Sequence, residues 1–258
     1  MEWHTPTPRI RIARADWLDA ARTLDPGSVR LLYADPPFNT GARRSDRAGA
    51  FEDAWPTTAA YIQWLGERLA ATLPALAPAA NVLIHCDWRA SHRVRLLLDD
   101  LLGEDRFVNH LIWSYGLGGS SPRRFARKHD DILFYSLDPG DCYFDPPMVP
   151  ATSNRMKGRM KKATDVIDIP SINNMAAERT GWPTQKPLAL LDLLVRACCP
   201  PDGVVFDPCC GSGTTLVAAA RAGRAGIGVD MSPEAVELAS SRAASAQPEG
   251  GVTPVETP

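Results

Sequence analysis

Short apolar runs that stop abruptly at polar loops recur along the chain, and this recurrence limits the fold more than any other feature. Val29 to Ala34 (VRLLYA), Asn81 to His85 (NVLIH), Asp131 to Tyr135 (DILFY), Val204 to Phe206 (VVF) and Ala225 to Val229 (AGIGV) have strand length and little polar interruption. That is the pattern of strands buried within a parallel sheet. Between several of them lie stretches with a 3.6-residue period. Ala60 to Leu76 sets Ile62, Leu65, Leu69, Leu73 and Leu76 on one side, Leu188 to Cys198 does likewise, and Thr215 to Ala222 follows a glycine-rich turn. Strands alternating with amphipathic helices predict an α/β chain with a doubly wound, mostly parallel sheet.

Two segments stay outside the alternation. Asp138 to Thr180 is irregular and rich in Pro, Asn and basic residues, and is expected to form an insertion outside the sheet. The tail from Ala243 to Pro258 has small residues, Pro and Gly without an apolar face, and is expected to be disordered. A chain of 258 residues suits one large domain with an insertion. With 45% hydrophobic and 22% charged residues it has material for a sizeable core, which excludes a disordered or collagen-like chain. The six cysteines form no Cys-x-x-Cys, so neither a structural zinc site nor a disulfide framework is expected. With no apolar stretch of membrane-spanning length and no apolar run at the N-terminus, the chain is expected to be soluble and cytoplasmic.

The segment VVFDPCCGSGTT, Val204 to Thr215, reads as a strand, an acid, Gly-x-Gly and a helix. Glycines there let the backbone approach a ligand, and the following helix presents its first N–H groups. Asp230 ends the next apolar run, 23 residues after Asp207, near the offset at which an acid meets ribose hydroxyls. A dinucleotide fingerprint needs a third glycine where Leu216 stands, and the Gly-Lys-Ser/Thr of a phosphate loop is missing. An acid ahead of the glycines suits a cationic or amine-bearing nucleoside ligand, a description that S-adenosylmethionine meets.

A second segment, VRLLYADPPF, runs a buried strand straight into Asp35, Pro36, Pro37 and Phe38. The prolines fix the backbone and leave carbonyls free to accept hydrogen bonds. Asp35 adds a carboxylate and Phe38 a flat face, a set that suits a planar ligand bearing an exocyclic amine. The same tripeptide at Asp145 is followed by Met148 in an irregular region and reads as a plain turn.

These pieces together resemble a DNA amino-methyltransferase of the β arrangement, in which the catalytic motif precedes the cofactor motif. The resemblance rests on ADPPFNTG (Ala34 to Gly41), IHCDW (Ile84 to Trp88), KHDDILFY (Lys128 to Tyr135), PTQKPLALL (Pro183 to Leu191) and FDPCCGSGTT (Phe206 to Thr215), in that order. It departs from the family at Cys209, where a bulkier residue is usual. The fold it implies is a Rossmann-like domain over 1–242, with a catalytic half (1–137), a target-recognition insertion (about 138–180) and a cofactor half (181–242).

The resemblance also implies roles. Asp35 and Pro36 would hold the target amine, Pro37 would stiffen the turn, and Phe38 would stack on the flipped base. S-adenosyl-L-methionine would contact Phe206, Asp207, Pro208, Gly211, Gly213 and Thr214, with Asp230 on the ribose. Thr184, Gln185 and Lys186 would pack beside its methionine end, Lys186 pairing with the carboxylate. His85 and Asp87 read as a structural pair. No metal is implied. The acceptor would be N6 of adenine in a flipped-out base. The alternatives are N4 of cytosine or a non-catalytic DNA-binding homologue, while a nicotinamide oxidoreductase is opposed by Leu216 and the acid before the glycines. Double-stranded DNA is the implied partner, with a cognate restriction endonuclease and a second copy of the chain as further partners and the nucleoid as the place of action.

Charge patterning bears on DNA independently. The net charge is -2, yet Ser120 to Lys162 holds nine basic and five acidic residues, a local +4 that leaves -6 for the rest. Such a band is an electrostatic footprint for a polyanion. The expected DNA contacts are Arg123, Arg124, Arg155, Lys157, Arg159, Lys161 and Lys162, with Arg43 and Arg44 on Asn39 to Phe51, expected to be a flexible basic loop beside Phe38.

Overall fold

A computed structural model describes residues 1–7, 9–116, 120–151, 155 and 157–246. The chain begins with an antiparallel pair, β1 (Trp3–Thr7) and β2 (Ile10–Arg14), then α1 (Trp17–Ala21), β3 (Val29–Ala34), the hairpin β4 (Ala42–Asp46) and β5 (Gly49–Asp53), α2 (Thr58–Thr72), β6 (Leu76–Cys86) and α3 (Ser91–Leu102). It continues through β7 (Phe107–Ser114), β8 (His129–Ser136), the short strands β9 (Met148–Pro150), β10 (Met160–Lys162) and β11 (Val166–Asp168), then α4 (Leu188–Cys198), β12 (Val204–Asp207), α5 (Thr214–Arg221), β13 (Ala225–Asp230) and α6 (Pro233–Ala244).

Among the described residues nine strands form one sheet, in the order β1-β2-β13-β12-β3-β6-β8-β7-β11. The central run β2-β13-β12-β3-β6 is parallel throughout. Its inner strands β13, β12 and β3 are largely apolar on both faces because both are covered. Along β3, Leu32 and Ala34 pack with the layer of α1, α2 and α3, while Leu31 and Tyr33 pack with that of α4, α5 and α6. The helices start at local signals: the Asp16 side chain accepts from Leu18 N, Thr57 from Ala60 N, and Ser232 from Ala235 N ahead of Pro233.

The doubly wound α/β reading holds, with local differences. The DILFY run lies in β8, which is antiparallel to both β6 and β7. No helix joins β7 to β8 among the described residues, and a direct return from one strand to its neighbour is antiparallel. The insertion is not wholly outside the sheet: β11 extends it by pairing parallel with β7, Ile167 facing Trp113. Its apolar Ile167 is 7% exposed. The expected tail starts too early, because α6 continues through Ala244 and Ala243 is fully buried; residues 247–258 lie outside the described residues. The 39–51 segment is an ordered hairpin rather than a loop.

Candidate active site

Neighbouring parallel strands β12 and β3 carry chains that depart in opposite directions, β12 through α5 to β13 and β3 through α2 to β6. Ligands of such sheets bind at the carboxyl ends of the strands, where the winding reverses. That edge holds a cleft of about 600 Å³. Asp35, Pro36, Pro37 and Phe38 line it from the end of β3, Asp207, Pro208, Gly211 and Thr214 from the end of β12, Asp230 from β13, and Thr184, Gln185 and Lys186 from the approach to α4. The two sequence motifs, far apart in the chain, thus share one wall.

The glycine turn is built by its acids. Asp230 accepts from Gly211 N and Ser232 N, each at 2.9 Å, and Asp207 accepts from Cys209 N at 3.1 Å. Burial pushes the Asp207 carboxyl up to about 7, with Asp35 and Asp230 adding to the rise and hydrogen bonds from Thr215 and Cys209 opposing it. Gly213 has φ +74, and a Cβ there would stand 2.6 Å from the Ala239 Cβ of α6. Trp182 lies over the turn, close enough that a Cβ on Gly211 would sit 2.8 Å from its Nε1.

Two expected cofactor residues do not reach the cleft. Phe206 is fully buried in the core beside α2, because the alternation of β12 turns it away from the strand-end position of Asp207. Gly213 faces α6 and acts as a packing residue. Cys209 lines the cleft and packs against the same core as Phe206.

At the end of β3, Lys186 Nζ donates to both oxygens of Asp35, at 2.8 and 2.7 Å, and lies 5.0 Å from the Phe38 ring centroid. The lysine expected on the cofactor carboxylate is here paired with Asp35. Fully buried His85 stands behind this pair. Its Nδ1 is 2.9 Å from Tyr33 Oη and 3.9 Å from Asp35 Oδ1, its Nε2 is 3.3 Å from Asp130 Oδ2, and its ring tilts 32° to Phe38. Burial raises the Asp130 carboxyl, but the hydrogen bond and charge of His85, with Lys186 and Tyr115, outweigh it and hold the group below its usual range. His85 and Asp87 are not a pair. Asp87 instead accepts from Arg89 N at 2.8 Å and pairs with the Arg89 guanidinium at the start of α3.

The β4–β5 hairpin closes another side. Buried Asp53 accepts from Asn39 N at 2.6 Å and from the Thr40 hydroxyl, locking the residues that follow Phe38. Arg44 lines the cleft 3.6 Å from Asp53, and exposed Arg43 lies 3.7 Å from Glu52. Ala48 N donates to Gly181 O at 3.0 Å, and Arg179 pairs with Asp46, so the hairpin is tied to the segment carrying Trp182 and Lys186.

The remaining basic candidates divide between two places. Arg123 and Arg124 are exposed on the β7–β8 connection, which springs from the cleft edge because Ser114 pairs with His129 and Cys86 with Asp131 there. Arg155, Lys157, Arg159, Lys161 and Lys162 belong to the β9–β10 hairpin region, apart from the main sheet. The geometry adds residues that the sequence reading passed over. Asp16, Trp17, Trp64 and Arg68 line the cleft, with Arg68 Nη2 2.7 Å from Asp16 Oδ2 and its guanidinium over Trp64. Only the Asp16-x-Leu18 cap was locally legible among them.

The fold recurs in solved structures, and the sequence has curated relatives. The methyltransferase M.ScaI of Streptomyces caespitosus is 32% identical over 52% of this chain and 49% of its own, so the chain matches about half the length of that relative. The DNA adenine methyltransferase YhdJ of Escherichia coli (strain K12) is 26% identical over 90% of this chain and 81% of its own. Among solved structures, the M1.HpyAVI–SAM complex superposes with a TM-score of 0.65 at 21% identity, covering 90% of this chain and 98% of its own. The cytosine-N4-specific PvuII DNA methyltransferase superposes with a TM-score of 0.68 at 16% identity, covering 92% and 86%. The family model N6_N4_Mtase, described as DNA methylase, matches residues 29–241, a span holding both motif-bearing strand ends, and the chain belongs to that family.

Proposed function

We propose that the protein transfers a methyl group from S-adenosyl-L-methionine to the exocyclic amine of a base flipped out of double-stranded DNA, with N6 of adenine as the acceptor. The observation that carries this reading is the meeting of Asp35 to Phe38 with the Asp207 to Thr214 turn in one cleft at the switch point of the sheet.

The cleft suits the cofactor chemically. Asp207 and Asp230 suit a cationic ligand bearing an amine and hydroxyls, and Phe51 lines the same cleft with an aromatic ring. Arg44 Nε and Arg68 Nε are buried atoms without a hydrogen-bond partner among the described residues, which suits a ligand carboxylate. Asp230, Pro208, Gly211, Thr214, Thr184 and Gln185 would complete the site. When bound, S-adenosylmethionine supplies a methyl group on an electrophilic sulfonium.

The protein's own contribution is positioning. The Asp35 carboxylate and the Pro36 carbonyl accept the amine hydrogens and orient the nitrogen lone pair, and Phe38 presents a ring face to the base. Lys186 pairs with both oxygens of Asp35 and so fixes where the carboxylate points. Any planar base with an exocyclic amine meets the same groups, so cytosine N4 is the second reading; the chain is similar both to the adenine methyltransferase YhdJ and to the cytosine-N4-specific PvuII enzyme.

Incubation with methyl-labelled S-adenosylmethionine and mixed-sequence DNA, followed by digestion to nucleosides, tests the reading. Label in N6-methyladenine is expected. Label in N4-methylcytosine would overturn the choice of base, and unlabelled DNA from folded protein would overturn the reaction.

A further inference from the structure

Two large apolar side chains are left almost wholly in water. Phe125 is 98% exposed and Met175 93%, whereas the next among the described residues, Met231, is 67% exposed. Phe125 sits on the β7–β8 connection and Met175 on the segment between β11 and α4. Strand register puts both segments at one edge. Asp168 pairs with Ser114, Ser114 with His129, Cys86 with Asp131, and Ala34 with Ile84, so the ends of β11, β7, β6 and β3 and the start of β8 lie in a row beside Asp35.

The foot of the β7–β8 connection is joined to the catalytic motif by polar contacts. Tyr115 Oη lies 3.3 Å from Asp130 Oδ1, Asp130 Oδ2 lies 3.3 Å from His85 Nε2, and His85 Nδ1 lies 3.9 Å from Asp35. Farther along the connection, Arg127 is laid over Trp88 with its Cζ 3.3 Å from the ring centroid, and Arg89 stands 4.9 Å from the same ring. Desolvation and the charges of Arg124 and Arg89 lower the pKa of Arg127, a sign that like charges have been gathered. Phe125 is thus an unburied aromatic that the chain carries between Arg123 and Arg124 on one side and Arg127, stacked on Trp88, on the other.

Cations gathered around a projecting apolar side chain match a duplex with a stacking wedge: guanidiniums meet phosphates, and the ring meets base faces. We infer that Phe125 inserts into the base stack of double-stranded DNA beside the target base, with Arg123 and Arg124 on the flanking phosphates and the Trp88–Arg127 stack bracing the loop. The inference rests on the DNA-methyltransferase reading for its partner and adds the element that holds the duplex open. An inserted ring replaces stacking that the displaced base gives up, so it favours the extrahelical position of that base.

Insertion unwinds DNA, which gives a readout separate from methylation. Closed circular plasmid is relaxed by a topoisomerase with the protein bound, and the topoisomers are resolved after deproteinisation. The wild-type protein is expected to shift the distribution. Phe125→Ala is expected to abolish the shift and weaken duplex binding on the order of tenfold, whereas Phe125→Trp restores both. The position is open to solvent, so neither variant disturbs packing. Unwinding by Phe125→Ala equal to wild type at equal occupancy overturns the inference, as does wild-type binding with no unwinding at all. Wild-type unwinding that Phe125→Ala loses, with no methyl group transferred to any base, leaves the wedge standing and removes the proposed reaction. Methylation at the wild-type rate by a Phe125→Ala protein that also unwinds normally does the reverse.

Discussion

Lys186 Nζ lies 2.8 and 2.7 Å from the two carboxylate oxygens of Asp35, a two-point contact between the segment entering α4 and the end of β3. On the proposed reaction the contact would make Lys186 a positioning residue for Asp35, the proposed amine acceptor. Lys186→Gln is expected to lower kcat about 10- to 100-fold, the worth of a hydrogen bond to a charged group, while the cofactor Kd moves less than about threefold. A large rise in cofactor Kd with kcat preserved would return Lys186 to the cofactor carboxylate. Steady-state methylation with equilibrium cofactor binding separates the outcomes.

Asp35 is the other half of that contact. Asp35→Ala is expected to abolish methyl transfer while cofactor binding persists, because the turn proposed for the cofactor follows β12 rather than β3. Removing the carboxylate also leaves the 9%-exposed Lys186 without its counter-ion. Lys186 left unsatisfied is expected to cost about 1–3 kcal/mol of stability at neutral pH, and Asp35→Ala/Lys186→Met is expected to recover most of it. Denaturant titration of the three proteins checks both statements; retained transfer by Asp35→Ala would remove the residue from the mechanism.

Asp207 gives a pH dependence of defined sign. Its folded-state pKa of about 7 stands above the ordinary carboxyl value because the group is buried. Between about pH 4 and 7 the folded chain therefore holds a proton that the unfolded chain has lost, and this group's contribution to stability falls as pH rises through that window and is flat above it. Asp207→Asn keeps an acceptor for Cys209 N and removes the titration. Its Tm relative to wild type is expected to climb from pH 5 to pH 8; a constant difference would refute the raised pKa.

Gly213 separates backbone strain from packing. Gly223→Ala meets the same left-handed geometry, φ +72, with no atom within 4 Å of the new Cβ, and is expected to cost about 1 kcal/mol. Gly213→Ala adds contacts of 2.6 and 2.8 Å to Ala239 Cβ and Cα, so it is expected to cost about 2–4 kcal/mol and to loosen α6. Equal losses in urea unfolding would mean that α6 yields freely.

What could be read from the sequence was local. β3, β12 and β13 announce themselves by uninterrupted apolar residues, and α4 runs from Leu188 to Cys198 as its periodicity requires, entered through Pro187. The site's wiring was not readable in the same way. The Asp35–Lys186 pair spans 151 positions and the His85–Asp130 contact 45, and no short-range pattern carries either. The β4–β5 hairpin escaped because its order comes from buried Asp53 and from Gly181, rather than from its own composition. Phe206 shows the opposite case: the motif names it, but strand alternation sends it into the core while its neighbour Asp207 lines the cleft.

Local pairing also ranks the basic residues as phosphate ligands. Arg43 stands 3.7 Å from Glu52, so a phosphate must displace an acid to reach it. Arg123 and Arg124 are exposed at the catalytic edge and form no ion pair among the described residues. A neutralised phosphate contributes about 0.9 to the slope of log K against log salt for duplex DNA. The double variant Arg123→Gln/Arg124→Gln is thus expected to make that slope shallower by about 2, whereas Arg43→Gln changes it by well under about 1. Binding isotherms on one duplex across a series of salt concentrations measure both. An unchanged slope in the double variant would take the β7–β8 connection off the phosphates, whatever its effect on affinity at a single salt concentration.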